Sequence, residues 1–308
     1  MGTFHPGEDA VQSHAGSTRR SIGSAQVGEL IPPVAREFLH TARFAALAVV
    51  DDHGQVHADL VTGPAGFLNA PSPRTVEIDA TPPLTASLFT PGTERTIGMI
   101  VLEPWTRRRM RVNGSATRAG TRLAVHTDQV YSNCPKYIQT RTIAINPEPD
   151  AAPSGPGAAR RARRLTEDQR ELIRDADTFF IATRASGHGA DASHRGGNPG
   201  FVSSPDATSL SWPDYVGNSM YMTLGNLLLE PRCSLLFPDW SSGRTLQLTG
   251  WATVDWDPDR AARTPGAQRM VDFDIDRVTE IPDGMPLRWR FGEHHRLNPP
   301  VRRATAVP

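Results

Sequence analysis

Lys136 is the only lysine in the chain; the rest of its 33 basic side chains are arginine. It stands in Asn133-Cys-Pro-Lys-Tyr-Ile-Gln139, where Asn133 suits a helix cap and Pro135 a first turn that needs no backbone donor. Free amides at such a helix start, with an ammonium beside them, make a site for an anion. A compact ammonium in a chain that otherwise uses guanidinium points to a point-charge contact. Cys134 is read as inert packing rather than a reactive thiolate. A second cluster, Ser193-His-Arg-Gly-Gly-Asn198, sets the fork of Arg195 before glycines that let a backbone approach a ligand closely. For acid–base work His194 is the leading candidate and Tyr215 the second, and no paired acid and base emerges. No metal site is signalled: His53 and His57 are four apart, but Gly54 between them marks a turn.

The elements that must hold these residues come in two copies. Ala42 to Leu68 aligns without a gap on Ala176 to Val202, an offset of 134, with Gly63 on Gly197, Gly66 on Gly200 and Phe67 on Phe201. Met110-Arg-Val-Asn-Gly114 then matches Leu246-Gln-Leu-Thr-Gly250 at an offset of 136. A period this long means duplicated domains rather than a solenoid. Each copy opens with a helix, the first at Pro32-Pro33 through His40 and the second at Thr166-Glu-Asp-Gln169, which has capping-box spacing. Short apolar strands follow at Ala45 to Val50 and Phe179 to Thr183, closed by hairpin turns at Asp51 to Gly54 and Ser186 to Gly189. Thr245 to Thr249 alternates as a barrel strand with one buried face, and Val271, Phe273 and Ile275 mark a closing strand. The expected division is a surface segment 1–30, a first repeat 31–146, a linker 147–165 and a second repeat with its tail 166–308. The Arg160-Arg-Ala-Arg-Arg164 run is read as solvated linker rather than a nucleic-acid patch.

Composition narrows the class. Lys+Arg and Asp+Glu are both 33, so no net field points to nucleic acid or membrane. With two cysteines and no long apolar run, a disulfide framework and a membrane helix are not expected, and neither is a signal peptide. The expectation is a cytoplasmic protein. The polar positions are unequal between the copies: Ser193-His-Arg-Gly-Gly-Asn198 replaces Asp59-Leu-Val-Thr-Gly-Pro64, which suggests one working site.

Several segments carry a family resemblance. Val50-Asp-Asp-His-Gly-Gln55, Pro231-Arg-Cys-Ser-Leu-Leu-Phe237 and Arg244-Thr-Leu-Gln-Leu-Thr-Gly250 resemble strand elements of pyridoxamine 5′-phosphate oxidase-like proteins. Asn133-Cys-Pro-Lys-Tyr, with Phe4-His-Pro-Gly-Glu8, Leu287-Arg-Trp289 and Asn298-Pro, resembles a tandem-repeat branch of that FMN-binding split-barrel superfamily. The resemblance implies a mainly β fold of two tandem split β-barrels forming an intramolecular pseudo-dimer, with FMN between them and redox chemistry at the flavin. It departs from the oxidases themselves: no basic pair follows Tyr221-Met-Thr-Leu-Gly-Asn226, and the Arg-x-His substrate element is not recognisable, which puts vitamin B6 oxidation in doubt.

On that reading Asn133 and Lys136 hold the FMN phosphate or an anionic substrate, and Arg195 and Asn198 contact the cofactor. Tyr137 faces the flavin or simply packs. Trp212, Asp214 and Asn218 line the ring, or Trp212 is a core residue. Thr223 and Asn226 sit at the strand end that leads to the phosphate grip. The expected activity is an FMN-dependent oxidoreductase acting on a small molecule, with a separate electron donor or reductase as a further partner. The deazaflavin F420, a haem with His194 as axial ligand, and a flavin-binding module without turnover stay open as alternatives.

Overall fold

The computed structural model describes residues 4–17, 27–132, 134–144 and 157–301. Helix α1 (Pro6–His14) precedes the first repeat, which runs α2 (Pro33–Thr41), β1 (Phe44–Val50), β2 (Val56–Thr62), β3 (Leu68–Ser72), β4 (Thr75–Ile78), β5 (Glu94–Glu103), β6 (Arg108–Ala119) and β7 (Arg122–Ser132). After β8 (Arg141–Ile143) and β9 (Arg160–Ala162) the second runs α3 (Glu167–Asp175), β10 (Thr178–Ala185), β11 (Gly189–Gly196), β12 (Ser209–Tyr215), α4 (Met222–Leu229), β13 (Arg232–Pro238), β14 (Thr245–Asp255) and β15 (Ala267–Ile281), and β16 (Trp289–Phe291) follows.

The two antiparallel sheets have one strand order. The first is β2-β1-β5-β6-β7-β4-β3 and the second β11-β10-β13-β14-β15-β12, with β9 added beside β15. The chain is a mainly β protein of two tandem split barrels, paired within one chain. Details of backbone repeat as well. The ladder shifts at Asn113/Gly114 in one copy and at Thr249/Gly250 in the other. At both glycines a Cβ would lie 1.9 Å from a carbonyl oxygen, of His126 and of Asp274, so neither bulge admits a side chain. Gly66 and Gly200 hold φ of +92° and +90°, and their amides donate to His40 and Arg174 at 2.7 Å.

Period-two alternation serves two cores at once. On β1, Ala45, Leu47 and Val49 fill the first barrel, while Phe44, Ala46, Ala48 and Val50 join a core between the barrels. On β10, Phe179 and Ile181 fill the second barrel and Phe180 and Ala182 the shared core. The barrels approach closely at Gly98, where a Cβ would lie 2.7 Å from the Ala190 oxygen and the Asp191 Cα. Across this junction β8 and β16 form a two-stranded antiparallel pair.

Four expectations change. Thr245–Thr249 is buried on both faces, because α4, β2 and, at Thr245, the chain after β15 pack on the face opposite the barrel interior. Arg160–Ala162 of the expected linker is a strand paired with Val278–Glu280. The segment before residue 30 contains α1, capped reciprocally by His5 and Glu8 and docked on α4 through Gly7 and Gly225. The capping box at Thr166 and Gln169 forms as its spacing predicts. No helix starts in the Asn133 motif: Asn133 lies outside the described residues, and Cys134–Thr140 is a turn with Tyr137 at φ +64°. No helix among the described residues is long and apolar enough to cross a membrane.

Candidate functional site

An open cleft of about 890 Å³ lies between the barrels, walled by β6, β11 and the loop that leads into α4. Strand β6 turns Met110 and Val112 into the first barrel, so Arg109, Arg111 and Asn113 face the second. Arg111 Nη1 donates to both carboxylate oxygens of Asp191 (3.0 Å) and to the Tyr131 hydroxyl (3.1 Å), which itself donates to Asp191 (3.2 Å). Burial works against the Arg111 charge, but Asp191 outweighs it and raises the guanidinium pKa; burial also raises that of Tyr131. Ser193 Oγ donates to Asp191 (3.0 Å) and lies 2.7 Å from Thr223 Oγ1.

Arg109 has no such counter-ion among the described residues. Its Nη1 donates to His194 Nδ1 (3.1 Å), and its buried Nε meets no acceptor among the described residues. Burial, with Arg111 and Arg195 nearby, brings its pKa down to about 9. The same burial, reinforced by Arg109, pulls the imidazole of His194 well below its usual value, so the ring is neutral. An arginine can only donate, so Nδ1 is the acceptor and Nε2 carries the proton. That N–H is buried and meets no acceptor among the described residues, which makes His194 a hydrogen-bond donor rather than a base near neutrality.

Arg195 pairs with Asp214 (2.8 Å), which Arg269 also approaches (3.7 Å). Lys136 lines the cleft and forms no ion pair among the described residues. Tyr137 donates its hydroxyl to the Val216 carbonyl (3.0 Å), and its ring sits 5.2 Å from that of Tyr215. Burial pushes the Tyr215 phenol up to about 12, so it stays protonated. Ser219 and Tyr221 hold left-handed backbones in the loop before α4 (φ +59° and +56°), conformations that non-glycine residues adopt at a cost and that cluster at ligand sites. Asn218 shapes this loop by accepting from the Met220 amide (3.2 Å).

The cleft thus gathers Lys136, Tyr137, His194, Arg195, Asp214, Tyr215, Asn218 and Thr223. Three expected residues lie elsewhere. Trp212 is 1% exposed inside the second barrel, edge-on to Phe179, because its strand alternation points it inward. Asn198 bonds the C-terminal segment through the Pro299 carbonyl and Asn298. Asn226, on the buried side of α4, donates to Thr183 Oγ1 (2.9 Å). Cys134 is exposed at the cleft rather than packed. Arg109, Arg111, Tyr131 and Asp191 carry no role at the site in the sequence pattern, and neither does Gln139 of the motif that holds Lys136. The Gln139 amide donates to the carbonyls of Tyr137, Asp177 and Gly197 and accepts from His295 and Asn298, fixing the turn that carries Lys136.

No family model matches the chain, and neither does any curated protein. Among solved structures it is similar to a candidate pyridoxamine 5′-phosphate oxidase from Lactobacillus delbrueckii at 20% identity and TM-score 0.33, over 38% of this chain and 94% of that one. HupZ of Group A Streptococcus follows at 12% and 0.31, over 37% and 91%. A FAD-binding protein from Mesorhizobium loti stands at 12% and 0.29, over 40% and 96%.

The corresponding position across the pseudo-two-fold is closed. Thr245 and Gln247 stand where β6 has Arg109 and Arg111, and Gly284 packs against Thr245. Met285 (0% exposed) and Trp289 (4%) fill the space with Trp240. Asp59, which occupies the place of Ser193, accepts from the Leu84 amide (2.9 Å) and from the amide (2.8 Å) and hydroxyl (2.9 Å) of Thr85. The matching start of α4 carries no side-chain cap.

Proposed function

We propose that this protein is an FMN-dependent oxidoreductase acting on a small molecule, with one flavin per chain in the cleft between the barrels. The observation that carries the reading is the surplus of donors there that are unanswered among the described residues: Arg109 and Lys136 without carboxylates, the buried Nε2–H of His194, and the start of α4 without a side-chain cap. First-turn amides have no intrahelical partner, and with cations beside them they favour a phosphate. In repeat one the same amide positions are answered by the carboxylate of Asp59, so repeat two lacks an anion that repeat one supplies from its own chain. When bound, the flavin supplies the hydride or electron chemistry. Lys136, Arg109 and Thr223 would hold the phosphate, and Arg195, Asn218 and Tyr137 the remainder. His194 and Tyr215 both keep their protons at neutral pH and serve as hydrogen-bond donors.

The visible spectrum of the purified protein is the first test: a two-band flavin spectrum supports the reading, a single deazaflavin band or a Soret band overturns it. FMN should then bind the apo-protein at one equivalent and ~10- to 150-fold tighter than riboflavin, the worth of a charge-assisted contact to the phosphate. Lys136→Ala and Arg109→Gln should shrink that difference. Equal affinity for both ligands in the parent protein would refute the phosphate site.

A further inference from the structure

Beside the cleft, and sharing Arg109 and Tyr131 with its wall, runs a groove between α2 and the β5–β6 turn. We infer that this groove binds a small organic anion with an apolar body, such as a medium-chain carboxylate. This goes beyond the flavin reading and does not depend on it.

The groove floor is Phe38, Met110 and Val130, and its rim is Leu30 (54% exposed), Val34 (67% exposed) and Arg108. No acidic side chain among the described residues lines it. Arg108 lies over the Phe38 ring, 4.9 Å from its centroid, and is not ion-paired among the described residues.

The duplicated groove in repeat two is an internal control. There α3 presents Asp168 and Leu172 where α2 has Val34 and Phe38, and Arg244 stands where Arg108 does. Arg244 is paired with Asp168 and lies 4.0 Å from Glu280. Trp289 and Phe291 of the same chain line that groove, and Glu171, Asp175 and Asp239 make it acidic. Repeat two therefore answers its arginine internally and lines its groove with carboxylates and with aromatic residues of its own chain. Repeat one replaces the carboxylate by an isopropyl group, which leaves a cation and exposed apolar surface side by side. That pairing matches a ligand with one negative charge and a hydrocarbon or aromatic body. Residues 18–26 of this chain carry Arg19 and Arg20 and no acidic residue, so they lack the charge to answer Arg108.

The test titrates the protein, kept in excess FMN so that the cleft is filled, with 8-anilinonaphthalene-1-sulfonate and follows its fluorescence, then displaces it with octanoate or octylammonium. One saturable site is expected, with octanoate displacing at a concentration at least about tenfold below octylammonium. Val34→Asp, which installs the repeat-two carboxylate opposite Arg108, should weaken the probe about tenfold or more, and Arg108→Gln by a similar factor. Circular dichroism checks that both variants fold. Lys136→Ala, in the cleft rather than the groove, should leave the probe in place. The inference is overturned by equal displacement by the two ions, by unchanged binding in Val34→Asp, or by equal loss in Lys136→Ala. Sedimentation gives the remaining outcome: if Val34→Asp turns a dimer into a monomer, the groove is a contact between copies and the inference fails.

Discussion

The two clefts of this molecule start from the same backbone and end with opposite electrostatics. On one side Asp59 holds the Leu84 and Thr85 amides, Thr245 and Gln247 replace arginines, and Met285 fills the space. On the other Ser193 leaves the start of α4 uncapped, and Arg109 and Lys136 have no counter-ion among the described residues. What barrel packing demands is kept in both copies: the bulges at Gly114 and Gly250, and the turns at Gly66 and Gly200. Polar residues at the junction carry no such demand, so duplication left one cleft free to seal itself and the other free to take a ligand.

The largest effect should come from making the open cleft resemble the closed one. Ser193→Asp places a carboxylate where repeat one has Asp59, within reach of Thr223 and the first amides of α4. FMN affinity should fall by about 100-fold or more, since an internal anion displaces the phosphate and a like charge faces it. Retention of parental affinity, in a folded variant, would show that the comparison of residues 59 and 193 does not locate the phosphate.

The reverse exchange should cost stability rather than function. Asp59→Ser removes the acceptor of four donors, the Leu60, Leu84 and Thr85 amides and the Thr85 hydroxyl, and the free energy of unfolding should drop by about 2 kcal/mol, read from denaturant midpoints. Flavin stoichiometry should stay at one per chain, because Met285 and Trp289 still fill that side. A second bound flavin would mean that Asp59 alone closes the cleft.

The smallest effect concerns α1, which docks on repeat two and has no counterpart on repeat one among the described residues. Burial, with Asp191 and Asp9 nearby against the His5 amide and Arg111, raises the Glu8 carboxyl to about 7. A carboxyl raised in the folded state favours docking when protonated, and that contribution is lost as pH rises through about 7. His5, lowered by burial and His188, acts in the opposite sense and loses its contribution as pH falls below 6.5. Hydrogen exchange of the α1 amides should therefore quicken from pH 6 to pH 8, after correction for the intrinsic rate. Glu8→Gln should flatten that trend, a change of about 1 kcal/mol or less. An unchanged slope would place the titration elsewhere.

Local order was legible in the chain itself. The apolar runs of β1 and β10, the hairpin turns, the Thr166 capping box and the repeat all follow from patterns and propensities that neighbouring residues impose on one another. The inequality of residues 59–64 and 193–198 was also visible, and with it the expectation of a single site. Tertiary structure decided which residues compose that site. Arg109 and Arg111, alternating with Met110 and Val112, read as the solvated face of a strand; only docking of the barrels brings Arg111 onto Asp191, 80 positions away in sequence. Trp212 reads equally as ring-lining or core, and sheet register alone turns it inward. The Lys136 turn reads as a helix start, but Gln139 ties its backbone to residues 177 and 197 and to the C-terminal segment, which a local rule cannot include. Periodicity is written along the chain, whereas counter-ions and clamps are contributed by strands that meet only after each barrel has closed.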